Sequence, residues 1–361
     1  MITRRGFNTG LGVAGAGLLM PTVVFAEDKG LVRLGNAAGI VDPQLSFMTV
    51  GQHPRVKFYE QEGVRLEIIN MSGAGQTLQA LASGNCETSA VAPVSFLGAY
   101  AKNPRIDVIF PYCWLREPHW SVAVKPDSPV KALAELKGRK VGIRNQGDTG
   151  YFGARAMFKE LSIDPDNDIE WVSIGEGGPA GDAIYRGRVD AMAFWDGSFA
   201  RIELAGYKLR HLPNTPGMER LFGNAYGVQK SSLQKNRDTV VRFFRAMAKS
   251  TVFAYADLDN SIRLHWDIYP ETKPKGRTDA QSMEEARYIL ASRADKWMPK
   301  PGQPDQRFGA QSLAQWQAQV EFAGLESQIK DVSGAFTTDL LDEINAFDRA
   351  AIAAQAKALK P

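Results

Sequence analysis

Short apolar runs alternate with amphipathic stretches along the first two thirds of the chain. Residues 29–34, 65–70, 88–92, 106–112, 141–144, 169–174, 190–195, 207–212 and 225–229 read as strands, each bounded by Gly, Pro, Asn or charged positions. Between them, residues 53–62, 76–82, 94–101, 151–161 and 201–205 read as helices, with another closing at Gly187. Residues 119–125 read as one further extended passage. Ser128 is placed to cap a helix opening at Pro129, with Val130, Leu133 and Leu136 as its apolar stripe and Gly138 at its end. This alternation predicts parallel sheets covered by helices. Beyond Asn224 the pattern changes to long helices over 236–257, 279–294, 311–323 and 338–359. The expected layout is one α/β lobe from 27–121 and 225–361, with a second lobe, 122–224, inserted into it.

The first 26 residues read differently. Arg4-Arg5, an apolar run over 11–24 and a small-residue exit at Ala26 make an export signal of twin-arginine type. The run is shorter than the roughly 20 residues a spanning helix needs. The first cysteine is Cys86, so no lipid-attachment cysteine follows the signal. The expectation is a soluble periplasmic protein, exported folded by the twin-arginine machinery and cleaved after Ala26. Lys and Arg number 43 against 40 Asp and Glu, a balance unlike a nucleic-acid surface. An oxidising compartment permits a disulfide between Cys86 and Cys113; two separate buried thiols is the preferred reading. His53, His119, His211 and His265 lack zinc-like spacing, so no metal site is expected. No Cys-His pairing and no P-loop occur. The loop GEGGP at 175–179 lacks a following Lys-Ser/Thr. The chain is therefore read as a non-enzyme without a cofactor.

Three segments carry a resemblance. They are MSGAGQTLQALASGNCETSAVAPVSFL at 71–97, DSPVKALAELKGRKVGI at 127–143 and AIYRGRVDAMAFWDGSFARIE at 183–203. Together they resemble the periplasmic substrate-binding proteins of ABC importers, in the nitrate, taurine, alkanesulfonate and thiamine-precursor (SsuA/THI5-like) group. Gly197 stands where many relatives have proline. The resemblance implies a type 2 periplasmic-binding fold, two α/β lobes around a hinged cleft with extra C-terminal helices on the first lobe. It also implies a monomer that closes over one ligand and delivers it to a membrane permease.

In open α/β sheets, ligands bind beyond the carboxyl ends of the strands, where helix N-termini favour anions. Candidates were sought there. Asn36 reads as a cleft contact or a turn cap. Ser72 and Gly73 read as a ligand loop or a tight turn. Ser95 reads as a contact or a helix cap. Trp114, Arg116 and Trp120 cluster at the first crossing, as ligand walls or as a covered surface loop. Arg144 either faces the cleft or pairs with Asp148. Thr149 and Tyr151 open a helix that suits an anion. Trp195 offers a stacking wall or core packing, and Asp196 an acceptor or a cap. Asn224 sits at the return crossing. His119 and Asp190 read as structural. The aromatics favour a ligand with apolar surface, and the arginines a sulfonate or carboxylate. Alternatives are a heterocycle of thiamine-precursor type held by Asp196 and the tryptophans, or a sensor using the same fold.

Overall fold

The computed structural model describes residues 30–360, so the expected export signal at 1–26 lies outside the described residues. In chain order the strands are β1 (Leu31–Asn36), β2 (Arg65–Asn70), β3 (Thr88–Val91), β4 (Ile109–Cys113), β5 (Trp120–Val124), β6 (Lys140–Ile143), β7 (Glu170–Ser173), β8 (Ala191–Trp195), β9 (Arg210–His211) and β10 (Ala225–Val228). They form two five-stranded sheets, ordered β2-β1-β3-β10-β4 and β7-β6-β8-β5-β9. In the first, β1 runs parallel to β2 and β3, while β10 runs antiparallel to β3 and β4. In the second, β6 is parallel to β7 and β8, and β5 is antiparallel to β8 and β9.

The strand β8 shows why the sheets are apolar throughout. All five of its residues are buried. Ala191 and Ala193 pack into one core cluster, Met192 and Phe194 into another. Successive side chains point to opposite faces, so helices cover both.

The chain crosses between sheets twice, from Cys113 to Trp120 and from His211 to Ala225. β5 falls within the extended passage expected at 119–125. The crossings are bonded to each other. Asn224 O accepts from Trp114 N and Leu115 N, both at 3.2 Å, and Leu115 O accepts from Gly223 N at 2.9 Å.

Local chemistry explains where helices begin. Asp148 caps the Thr149–Glu160 helix by accepting from Gly150 N at 2.9 Å. Thr278 with Gln281 and Ser312 with Gln315 form capping boxes on the Asp279–Ala294 and Leu313–Phe322 helices.

Several elements differ from the sequence expectation; the helix expected over 53–62, for example, forms only at Phe58–Gln61. The segment after Ser128 is only a 3₁₀ turn, Leu133–Leu136. Its buried Val130, Leu133 and Leu136 are spaced by three, which suits three residues per turn. The strand expected at 207–212 shrinks to the two-residue edge strand β9. The helix expected over 338–359 divides into Leu341–Ile344 and Arg349–Ala358, the second restarted by Asp348, which accepts from Ala350 N and Ala351 N. A helix at Leu258–Ile268, capped by Asp257, was not expected.

The C-terminal helices do more than complete the first lobe. The Leu313–Phe322 helix buries Trp316 and Val320 among Phe96 and Phe110 of the first lobe. Its Ala318 and Phe322 join the core of the second. The Asp279–Ala294 helix touches both the Leu258–Ile268 helix and the second lobe's Asp196–Leu204 helix. Cys86 and Cys113 are free and buried. Among the described residues no helix is long and apolar enough to cross a membrane.

Candidate functional site

A cleft of about 70 Å³ lies between the lobes. At a water-sized probe volume of roughly 10–15 Å³ each, that is room for a few waters or one small polar head group. The lobes approach closely at its rim, where Gly75 N lies 3.4 Å from Gly147 O. The cleft sits where strands end. Asn36 closes β1, Gly73 follows β2, Trp114 follows β4, Arg144 follows β6 and Trp195 closes β8. Thr149 opens its helix there, and Asn224 comes from the return crossing.

An aromatic and cationic column forms one wall. Phe47 stacks on Trp114 at 4.6 Å and 15°. Arg293 lies 5.7 Å from the Trp114 ring and 4.9 Å from the Trp195 ring. Arg201 lies 5.0 Å from the Trp195 ring. Trp195 therefore carries two guanidiniums, one from each lobe. Such contacts are worth about 0.5–2 kcal/mol each, more when desolvated.

Carboxylates hold these cations in place. Asp196 Oδ1 accepts from Arg293 Nε at 2.9 Å and also from its Nη2, and Lys296 Nζ reaches Oδ2 at 3.2 Å. Burial pushes the Asp196 carboxyl up, but Arg293 and Lys296 hold it below the usual carboxylate range. Asp42 takes Arg201 through Oδ2. Arg144 lies 3.6 Å from Asp148 and 3.5 Å from Glu176, and its Nη2 donates to Ala38 O at 3.0 Å across the cleft. Burial, with Glu176 nearby, pushes the Asp148 carboxyl up despite its bond from Gly150 N and its proximity to Arg144. Burial and Arg293 keep His119 neutral, well below the ordinary histidine range.

Four polar atoms of residues lining the cleft have no hydrogen-bond partner: Trp114 Nε1, His119 Nδ1, Arg201 Nη1 and Asn224 Oδ1. Buried polar groups are rarely left so, and an orphaned one costs about 1–3 kcal/mol. Trp114, His119 and Asn224 lie at the crossings, and Arg201 on the Asp196–Leu204 helix.

Of the residues singled out from sequence, Asn36, Gly73, Trp114, Arg144, Thr149, Trp195 and Asn224 line this cleft. Six do not. Ser72 N bonds Gln76 Oε1 at 2.5 Å in its own turn. The Ser95 hydroxyl is buried without a partner, and its helix starts after Ala92 with no side-chain cap. Arg116 staples a loop, donating to the carbonyls of Asp305, Arg307 and Ala310 at 3.0–3.2 Å. Trp120 packs on Gly153, where an added Cβ would meet its ring at 2.2 Å. Tyr151 sits edge-on to Trp171 at 4.9 Å, and its hydroxyl accepts from Arg155. Asp196 serves the two cations described above rather than the cleft.

Arg201, Arg293, Asp42 and Gln44 also line the cleft and were not singled out. Arg201 had a signal, since it lies six residues beyond Trp195 in a segment already recognised. Arg293 had none, because it reaches Asp196 from 97 residues away. His119, read as structural, also lines the cleft. Asp190 fits its structural reading, accepting from Lys140 N at 2.9 Å where β6 begins.

Reactive groups are quiet. Burial pushes the Cys86 thiol up to about 11 and the Cys113 thiol up to about 12, so both stay protonated at neutral pH. Among the described residues no group of three or more His, Cys, Asp or Glu is placed to hold a metal.

A family model described as NMT1/THI5-like matches residues 54–261, more than half of the chain. No curated protein matches by sequence. Among solved structures, the chain is similar to the alkanesulfonate-binding protein SsuA of Xanthomonas axonopodis pv. citri, bound to MOPS, with a TM-score of 0.59, 18% identity, and coverage of 90% of this chain and 97% of that one. The periplasmic aliphatic sulphonate binding protein SsuA of Escherichia coli gives a TM-score of 0.58 and 18% identity, over 86% of this chain and 91% of that one. A variant of the desulfurization enzyme DSZB, in complex with biphenyl-2-sulfinic acid, gives 0.52 and 15%, over 90% of this chain and 99% of that one. At these identities the likeness is one of fold.

Proposed function

The chain belongs to the NMT1/THI5-like family, and from that premise we propose that it captures a small organic anion, of sulfonate or carboxylate type, between its lobes. Its fold is that of the periplasmic binding proteins. In this reading it is the solute-binding component of an ABC importer, works as a periplasmic monomer and hands its ligand to a membrane permease. Its precursor travels by the twin-arginine route.

One observation carries the proposal. Three guanidiniums, those of Arg144, Arg201 and Arg293, line one narrow cleft walled by Trp114 and Trp195. A guanidinium presents paired N–H donors that match the oxygens of a carboxylate or sulfonate. The indoles supply apolar surface for the ligand's carbon skeleton. A bare inorganic anion would leave that surface unused. The heterocycle reading relied on Asp196 as acceptor, and that carboxylate is already taken by Arg293 and Lys296. The protonated thiols offer no nucleophile, which supports binding over catalysis.

The test is direct. Ligand-stripped protein is melted with ethanesulfonate, MOPS, benzoate and a pyrimidine. Sulfonate or carboxylate at about 100 times its Kd should add about 2.7 kcal/mol of stability. Arg201→Gln should lose that increment while remaining folded. A shift with the pyrimidine alone would overturn the anion reading.

A further inference from the structure

Asp42 follows β1 in the first lobe and caps the short turn Pro43–Leu45, its Oδ1 accepting from Gln44 N at 3.0 Å. Its second oxygen, Oδ2, is bonded across the cleft by Arg201 Nη2 from the second lobe. Both side chains are largely buried, 15% and 16% exposed, and both residues line the cleft. Arg201 also lies over the Trp195 ring at 5.0 Å. A carboxylate seated on a guanidinium, with an indole beneath, is the arrangement that an anionic ligand of this cleft would adopt.

The other strong pair across the lobes differs in kind. Asp196 and Arg293 are joined behind the cleft wall, and Asp196 does not line the cleft. That pair can persist with a ligand present. Both partners of the Asp42 pair line the cleft, so an anion that bonds Arg201 meets Asp42 there.

We propose that Asp42 is an internal competitor: it occupies Arg201 and draws the lobes together while the cleft holds no ligand, and an incoming anion displaces it. This rests on the anion reading of the cleft. The chemistry of exchange sets a threshold. An entering anion must bond Arg201 at least as well as a carboxylate held at high local concentration, because the tether makes Asp42 an intramolecular rival. Anions that bond weakly are turned away by the same device. The displaced Asp42 carboxylate keeps its bond from Gln44 N and regains water at the rim.

Asp42→Asn removes the charge yet keeps an oxygen that accepts from Gln44 N, so the turn retains its cap. Calorimetric titration with ethanesulfonate should show about tenfold tighter binding than wild type, the size of one charge-pair competition. Small-angle scattering of the ligand-free variant should give a larger radius of gyration than ligand-free wild type, with ethanesulfonate restoring the compact value. Asp42→Ser, which can also cap, guards against a folding artefact and should behave alike. Unchanged or weaker binding in both variants, with wild type binding normally, overturns the competitor role. If wild type takes up neither ethanesulfonate nor benzoate, the anion reading has failed and the proposal falls with it. The two failures are thus told apart by the wild-type titration.

Discussion

At the scale of single residues, position after a strand was legible and partnership was not. Asn36, Gly73, Trp114, Arg144, Thr149, Trp195 and Asn224 were found because sheets place their ligands at strand ends. Whether a side chain there meets the cleft depends on distant segments. Arg116 points into the loop at 305–310, and Asp196 is claimed from 97 residues away. Nothing near either residue in sequence announces those partners. The same is true of His265, whose Nδ1 lies 2.8 Å from Thr49 Oγ1 in the core. Burial pushes this imidazole down to about 4. The folded state then binds fewer protons than the unfolded chain between pH 6.5 and about 4, so stability falls as pH falls through that window. The full swing is about 3 kcal/mol. Burial also lowers His119 and His211, in the same direction. Denaturant melts at pH 7 and pH 5 should show wild type losing stability, with a smaller loss in His265→Gln. Equal losses in both would remove His265 from the account.

At the scale of elements, the strands were read well because burial on both faces leaves continuous apolar runs. The turn at 133–136 had a sign in the three-residue spacing of Val130, Leu133 and Leu136, whereas the split near Asn345 depends on packing rather than period. Asn345 Nδ2, for example, donates to Phe308 O from another segment. The helix Leu258–Ile268 had a readable sign, the cap Asp257 followed by Ile262, His265 and Trp266. Close packing also explains two glycines. Gly197 lies against Gln44, whose amide would meet a Cβ at 2.2 Å, and its N–H donates to Asp196 Oδ1. Proline, seen there in relatives, has no such proton. Gly73, at φ +86°, faces Gly147 O of the other lobe, 2.9 Å from where a Cβ would lie. Gly73→Val should therefore hold the lobes apart. The expected result is at least tenfold weaker binding of ethanesulfonate and a larger radius of gyration with ligand present. Normal affinity in that variant would show that the rim contact is dispensable.

At the scale of the molecule, the change of pattern after Asn224 led to the expectation of one lobe inserted into another. That two C-terminal helices span both lobes did not follow, since each shows only its own periodicity. Trp316, fully buried, packs with Phe96, Phe110 and Phe222. Trp316→Ala should cost about 3–5 kcal/mol. Because its helix is shared, calorimetry should show one cooperative transition moved to lower temperature. Two resolved transitions in wild type would mean that the lobes melt independently of this helix.

Two bodies joined by a pair of crossing strands are free both to swing and to twist. The Leu313–Phe322 helix adds a third attachment beside the return crossing, where Gln319 Nε2 donates to Phe222 O at 2.9 Å. Three attachments leave one easy degree of freedom, as in the jaws of pliers, and the torsional one stiffens. In the proposed role, each closure would return Arg201 and Arg293 to the Trp195 ring. The proposed permease would then meet a molecule whose lobes move along one path rather than many.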